Sequence, residues 1–232
     1  MSNLFTSTIG KKLIMSISGL FLILFLLFHM SMNLVALFSA EAYDMICAFL
    51  GANWYALVGT AVLAAGVAIH FIYATILTLQ NRRARGNQRY AVQGMPKNVS
   101  WASRNMFILG SVILLGLLLH LYNFWYRMQF VELFSRHEEI VAQGLNPTAG
   151  AALIAGLFAN PVYCVIYLLW FVALWFHLTH GFWSAIHTIG WDSKVWMKRT
   201  QTISDIVATL ILVCFAAIVV VFYLRSLCGG AC

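Results

Sequence analysis

Charge is what this sequence has least of. Acidic and basic residues make up 9% of its 232 residues, against 62% hydrophobic, a balance that no water-soluble domain of this length can carry on its surface. The solvent implied is lipid. Proline is scarce as well, with 3 copies, and none interrupts a long apolar run, so the runs read as continuous helices rather than the broken ones of transporters. The 5 cysteines form neither a CxxCH motif nor a CxxC pair, so the sequence offers no site for covalently attached haem and no zinc or thiol-redox motif. Cys47, Cys164 and Cys214 read as ordinary apolar residues; Cys228 and Cys232 are spaced for a disulfide on an oxidising side of a membrane, or have no chemical role. There is no internal repeat, no low-complexity tract and no linker.

What the chain does have is five charge-poor runs, near Leu13 to Phe38, Tyr55 to Leu79, Asn105 to Tyr126, Pro161 to Ile189 and Ile203 to Leu224. Each is long enough for the about 20 residues that a helix needs to cross a bilayer. The first is preceded by Lys11 and Lys12 and followed by Ala40-Glu41-Ala42, but it far exceeds the ~7–15 apolar residues of a signal peptide and reads as a retained helix. Thr148 to Ala159 is apolar yet too short to span, and reads as an interfacial or partly buried turn of helix. The stretch Arg127 to Asn160 is too small to hold a core of its own. The expectation is an all-α integral membrane protein, residues 1–232 forming a single domain of five transmembrane helices.

The net charge of +7 sits between the runs. Lys11 and Lys12, then Arg82, Arg83, Arg85, Arg89, Lys97 and Arg104, then Lys194, Lys198 and Arg199 occupy alternate connections, which predicts N-terminus in and C-terminus out. The opposite segments carry Glu41 and Asp44, then Arg127, Glu132, Arg136, Glu138 and Glu139, then Arg225. Membrane orientation therefore accounts for the positive charge, and nucleic acid is not needed as a partner.

Six of the seven histidines fall in apolar runs: His29, His70, His120, and then His177, His180 and His187 in the fourth. Ionisable groups in a bilayer are costly and point to function, although one such residue alone is as readily a hydrogen bond to a neighbouring helix. Rise per residue sorts them by depth, because successive spans run in opposite directions. His29 lies roughly 12–14 Å and His120 roughly 9–11 Å from the outer ends of their helices. His70 lies roughly 14 Å, and His177 and His180 roughly 13–18 Å, from the inner ends. Two levels of facing histidines are what two stacked bis-histidine haems require. Gly19, Gly59, Gly66, Gly110, Gly116 and Gly181 leave room for a flat macrocycle or for close helix packing.

These residues carry a resemblance to the dihaem cytochrome b membrane subunits of succinate dehydrogenases and fumarate reductases, over essentially the whole length. It rests on Ser16-Ile17-Ser18-Gly19-Leu20-Phe21-Leu22 with Leu24-Phe25 and His29-Met30, on Gly116 with His120-Leu121-Tyr122, and on His177-Leu178-Thr179-His180-Gly181 followed by Gly190-Trp191-Asp192. The resemblance implies two haem b groups, a distal one on His29 and His120 and a proximal one on His70 and His177. The pattern His-x-x-x-Gly selects His177, with Gly181, over His180; His180 is left to a haem propionate or a neighbouring helix, and Ser16 to a polar contact near a haem.

The resemblance further implies a quinone substrate, chiefly menaquinone, and iron–sulfur and flavoprotein subunits on the cytoplasmic face of a bacterial inner membrane, in a complex that can itself pair as a dimer. The chain has no FAD or iron–sulfur motif of its own. It departs from the family in two places. Phe49-Leu50-Gly51 stands where some members carry an acid for quinone, leaving Glu41 and Asp44 nearby, and Trp175 stands where some carry a glutamate two positions before the ligand. Three rival classes share some of these features: a cytochrome b anchor of a hydrogenase or formate dehydrogenase, a histidine-based metal transporter, and a haemless structural anchor, against which only the histidines argue.

Overall fold

The computed structural model describes residues 7–51, 53–85, 100–134, 146–191 and 193–229. Arg89, Lys97, Arg136, Glu138, Glu139, Asp192 and Cys232, named above, lie outside the described residues. Among the described residues the regular structure is all helix, without a strand. Helix α1 (Thr8–Leu34) ends in a 3-10 turn (Val35–Leu37), and α2 (Ala40–Phe49) is short. Helices α3 (Trp54–Arg85) and α4 (Trp101–His120) follow; α4 continues as a π-helix (Leu121–Phe130) and a last α turn (Val131–Leu133). Then come α5 (Gly150–Phe158), α6 (Pro161–Thr188) and α7 (Lys194–Leu227).

Among the described residues five helical stretches are long and apolar enough to cross a membrane: Thr8–Leu37, Trp54–Ala84, Trp101–Leu133, Pro161–Thr188 and Lys194–Leu227. They extend beyond the charge-poor runs. Arg82 and Arg83 lie in the last turns of α3, Arg104 in the first turn of α4, and Lys194, Lys198 and Arg199 in the first turns of α7. These residues were expected in connecting segments, but long basic side chains at a helix end can reach polar surroundings without interrupting the backbone ladder. Side-chain oxygens close the starts: Ser7, Ser39, Ser100, Asn160 and Ser193 accept from the backbone N–H of Gly10, Ala42, Ser103, Val162 and Trp196. Pro161 occupies the first turn of α6, where its missing N–H costs nothing.

Helix α6 is central, packing against α7, α4 and α1, while α3 leans mainly on α1. Ile23 and Met30 of α1 meet Tyr167, Phe171, Leu174 and Leu178 of α6 and Ile211, Phe215, Ile218 and Val219 of α7. Ser204 of α7, fully buried, donates to the carbonyl oxygens of Leu178 at 3.0 Å and Thr179 at 3.1 Å. Trp170 of α6 donates to the Ile113 carbonyl of α4 at 3.1 Å, and its indole lies against Gly116, where any Cβ would collide. Outward, Leu24, Leu115, Leu169 and Val213 are exposed, while Ser16, Ser18, Asn123, Gln129, Thr200 and Ser204 are buried. Polar inside and apolar outside is the pattern of a chain dissolved in lipid: this is a multi-pass membrane protein.

At the end of the bundle opposite the N-terminus, α2 and α5 pack together. Asp44 of α2 accepts from the Ala151 backbone N–H at 2.8 Å, and Ala151, Leu153, Ile154 and Phe158 bury one face of α5. Gln129, in the π-helix, donates to the Gly51 carbonyl at 2.9 Å and accepts from Thr60 at 2.9 Å and Trp125 at 2.7 Å. Arg225 donates to the Leu37 carbonyl at 2.9 Å, tying the end of α7 to the end of α1.

Candidate functional site

Four helices bring four histidine rings together as two pairs. His29 of α1 and His120 of α4 have ring centroids 5.7 Å apart and nearly perpendicular planes at 88°. His70 of α3 and His177 of α6 have centroids 6.3 Å apart at 70°. All four rings are half-buried. A metal–imidazole bond is about 2 Å long, so two imidazoles on opposite sides of one iron keep their centroids about 6 Å apart.

The pair nearer the N-terminal end is flanked by missing side chains. A Cβ on Gly19 would stand 3.1 Å from His70 Cε1, and one on Gly110 3.5 Å from His177 Cε1. Ser18 Oγ donates to the Met15 carbonyl at 3.0 Å and lies 3.2 Å from His70 Nδ1. With its single proton given to Met15, the hydroxyl turns a lone pair toward His70, which suits the ring tautomer protonated at Nδ1. His177 Nδ1 is buried without a hydrogen-bond partner.

The other pair is walled by rings. Phe25 stacks on His29 at 5.4 Å, Phe215 lies 5.9 Å away, and His120 has Phe124 at 5.1 Å and Trp170 at 5.9 Å. Asn33, one turn beyond His29, lies 3.4 Å from both of its ring nitrogens. Tyr43 of α2 donates to Asn33 Oδ1 at 2.8 Å. Burial first, and Cys47 beside it, push the Tyr43 phenol above its ordinary range; burial pushes the Cys47 thiol up to about 11. Both keep their protons at any physiological pH. His120 ends the α-helical part of α4, and the π-helix begins at the next residue; such segments are frequent at functional sites.

The remaining candidates fall elsewhere. His180 packs edge-on against Trp183 at 5.0 Å rather than joining the pair at its depth, and His187 is exposed. Ser16 is buried, but the serine that meets a histidine is Ser18, two residues on. Of the glycines, Gly66 accommodates Phe21, Gly116 accommodates Trp170, Gly181 faces Met106, and Gly59 has open space. Asp44 is occupied in capping α5 and shares an open pocket with Glu41, Asn146 and Thr148. The acid that reaches Gly51 is Glu132, whose Oε2 lies 2.6 Å from where a Cβ on that glycine would stand. Ser18, Asn33 and Glu132 were not singled out as site residues from sequence; the i, i+4 spacing of His29 and Asn33 was the available signal.

Among the described residues no three or more His, Cys, Asp or Glu side chains gather as a metal-binding group. No family model, curated protein or solved structure matches this chain.

Proposed function

We propose that this chain is the two-haem cytochrome b membrane subunit of a succinate:quinone or quinol:fumarate oxidoreductase. The observation that carries the reading is that four intramembrane histidines from four helices form two ring pairs at two depths, each with the spacing of a shared iron. Haem bound at each pair would supply a reversible one-electron carrier. The chain's own part is to present an imidazole from each of two helices, to surround the rings with apolar side chains, and to fix ring orientation through Ser18 and Asn33. Two ligands per site suit haem; a zinc-type transport site asks for three or four converging ligands.

Lys11, Lys12, Arg82, Arg83, Arg104, Lys194, Lys198 and Arg199 all lie at the N-terminal end of the bundle, and the positive-inside rule then sets that end in the bacterial cytoplasm. In this reading the iron–sulfur and flavoprotein subunits dock there, menaquinone reacts in the bilayer, and the whole complex can pair as a dimer. Purified from the membrane, the chain should give two haem b per polypeptide in a pyridine haemochrome assay and bring down a flavoprotein and an iron–sulfur protein. A single haem, no haem, or a hydrogenase or formate dehydrogenase subunit in their place would reject the proposal.

Trp175 donates to Thr209 at 3.0 Å, and the one acid within the five apolar runs is Asp205, at the third position of the fifth run and exposed on α7. With quinone reacting at the end opposite the N-terminus, electrons cross without a compensating proton relay, each crossing charge being worth about 2.3 kcal/mol per 100 mV. Turnover in sealed liposomes should therefore move a voltage-sensitive dye. A silent dye in tight, active vesicles would contradict the uncompensated route.

A further inference from the structure

His29 has its polar support on two helices. Asn33 Nδ2 donates to the His29 carbonyl at 2.8 Å, and Asn33 Oδ1 accepts from the Tyr43 hydroxyl at 2.8 Å. These two bonds decide which way the amide points. Its oxygen is held by α2, one N–H by the backbone of α1, and the second N–H is the group left toward the His29 ring, 3.4 Å from either nitrogen. Turning the amide over would set Asn33 Oδ1 against the His29 carbonyl oxygen and replace the bond that Tyr43 donates to Asn33 by one that it accepts. Tyr43 has little freedom to follow, being 8% exposed with its ring edge against Gly150 of α5. At His70 the polarity is reversed, because Ser18 presents a lone pair to the ring.

We infer that Asn33, locked by Tyr43, is a positioning residue for His29 that turns the donor end of its amide toward the ring and so favours the reduced form of a haem ligated there. The inference rests on the dihaem reading above. With one ring nitrogen on iron and the other protonated, neither accepts from Asn33, so the amide acts through the positive end of its dipole, which opposes the extra positive charge of oxidised iron. A carboxylate in the same place would stabilise that charge.

The test is redox potentiometry on the purified complex, followed in the visible band and by electron paramagnetic resonance, with wild type, Asn33→Leu, Asn33→Asp and Tyr43→Phe. Asn33→Leu should lower the midpoint of one haem, the one that a His29 variant removes, and leave the other unchanged. Asn33→Asp should lower the same midpoint further. Tyr43→Phe, which frees the amide without changing the bulk around it, should lower it by less than Asn33→Leu; it and Asn33→Asp decide the matter if Asn33→Leu assembles poorly. An unmoved midpoint, an upward shift, or equal shifts of both haems would overturn the inference while the dihaem reading stands. A wild-type complex with fewer than two haems would remove that reading, and the inference with it.

Discussion

Around His70 and His177 the sequence removes side chains, with Gly19 and Gly110 set against the two rings, whereas around His29 and His120 it adds them, with Phe25, Phe215, Phe124 and Trp170 in ring contact. The helices explain the contrast. His70 rides on α3, which leans mainly on α1, so its ring is held by one hydroxyl and by backbone approach. The other pair stands beside the core where α1, α6 and α7 meet, and aromatic packing holds it. One level depends on space and the other on walls, so substitutions that fill space or break walls should act on one level at a time.

The largest effects are expected at the rings themselves. His29→Leu or His120→Leu should reduce haem content from two to one per chain by removing the same haem, and His70→Leu or His177→Leu should remove the other. Removing His180 or His187 should leave both in place. Haem stoichiometry and the low-spin electron paramagnetic resonance signals of each variant measure this, and loss of one and the same haem from all four ligand variants would destroy the division into levels.

Filling the glycines should come next. Gly19→Val pushes a branched side chain into His70, whose Cε1 would already lie 3.1 Å from a plain Cβ; overpacking of this kind costs about 1–3 kcal/mol. The haem at His70 should become labile while the one at His29 persists. Gly116→Ala works on the other level: its methyl collides with the Trp170 indole, which breaks the bond to Ile113 and shifts a ring that packs 5.9 Å from His120. Haem retention through a detergent wash, followed by spectrum for each variant, would show the crossover; a Gly19 variant that loosens both haems alike would mean that the levels are not packed independently.

The spans are legible in the sequence because lipid makes hydropathy the dominant signal, and their ends are not, because Arg82, Arg83 and Lys194 can be helical and solvated at once. Depth is legible too. Rise per residue groups the histidines by height, and the two ring pairs join residues that share a height. Azimuth is what height cannot supply. His177 and His180 share a depth, but only the first turns toward His70. Ser16 and Ser18 are about 200° apart around α1 at about 100° per residue, which puts only Ser18 at a histidine. The π-helix from Leu121 to Phe130 leaves no mark in residue type, yet it sets where Gln129 and Glu132 arrive relative to Gly51.

The smallest effect sharpens the contrast most. Ser18→Ala removes the hydroxyl acceptor at His70 Nδ1 and leaves the ring to the Met15 backbone alone, so the loss falls below the about 1–3 kcal/mol of a fully buried group left with no partner. Removing an outer-shell partner typically costs 10–100-fold in metal affinity or activity, but two imidazole bonds to iron remain, so the haem should stay bound and only its poise should move. An imidazole whose N–H is less strongly accepted is a weaker electron donor, and oxidised iron loses stabilisation. The midpoint of the His70 haem should therefore rise, opposite in sign to the fall expected for Asn33→Leu at the other level, with each variant leaving the second haem where it was. Equal signs for the two variants would mean that the hydroxyl and the amide present the same polarity to their rings. The placement of Ser18, its proton on Met15 and its lone pair on His70, would then be the part that failed.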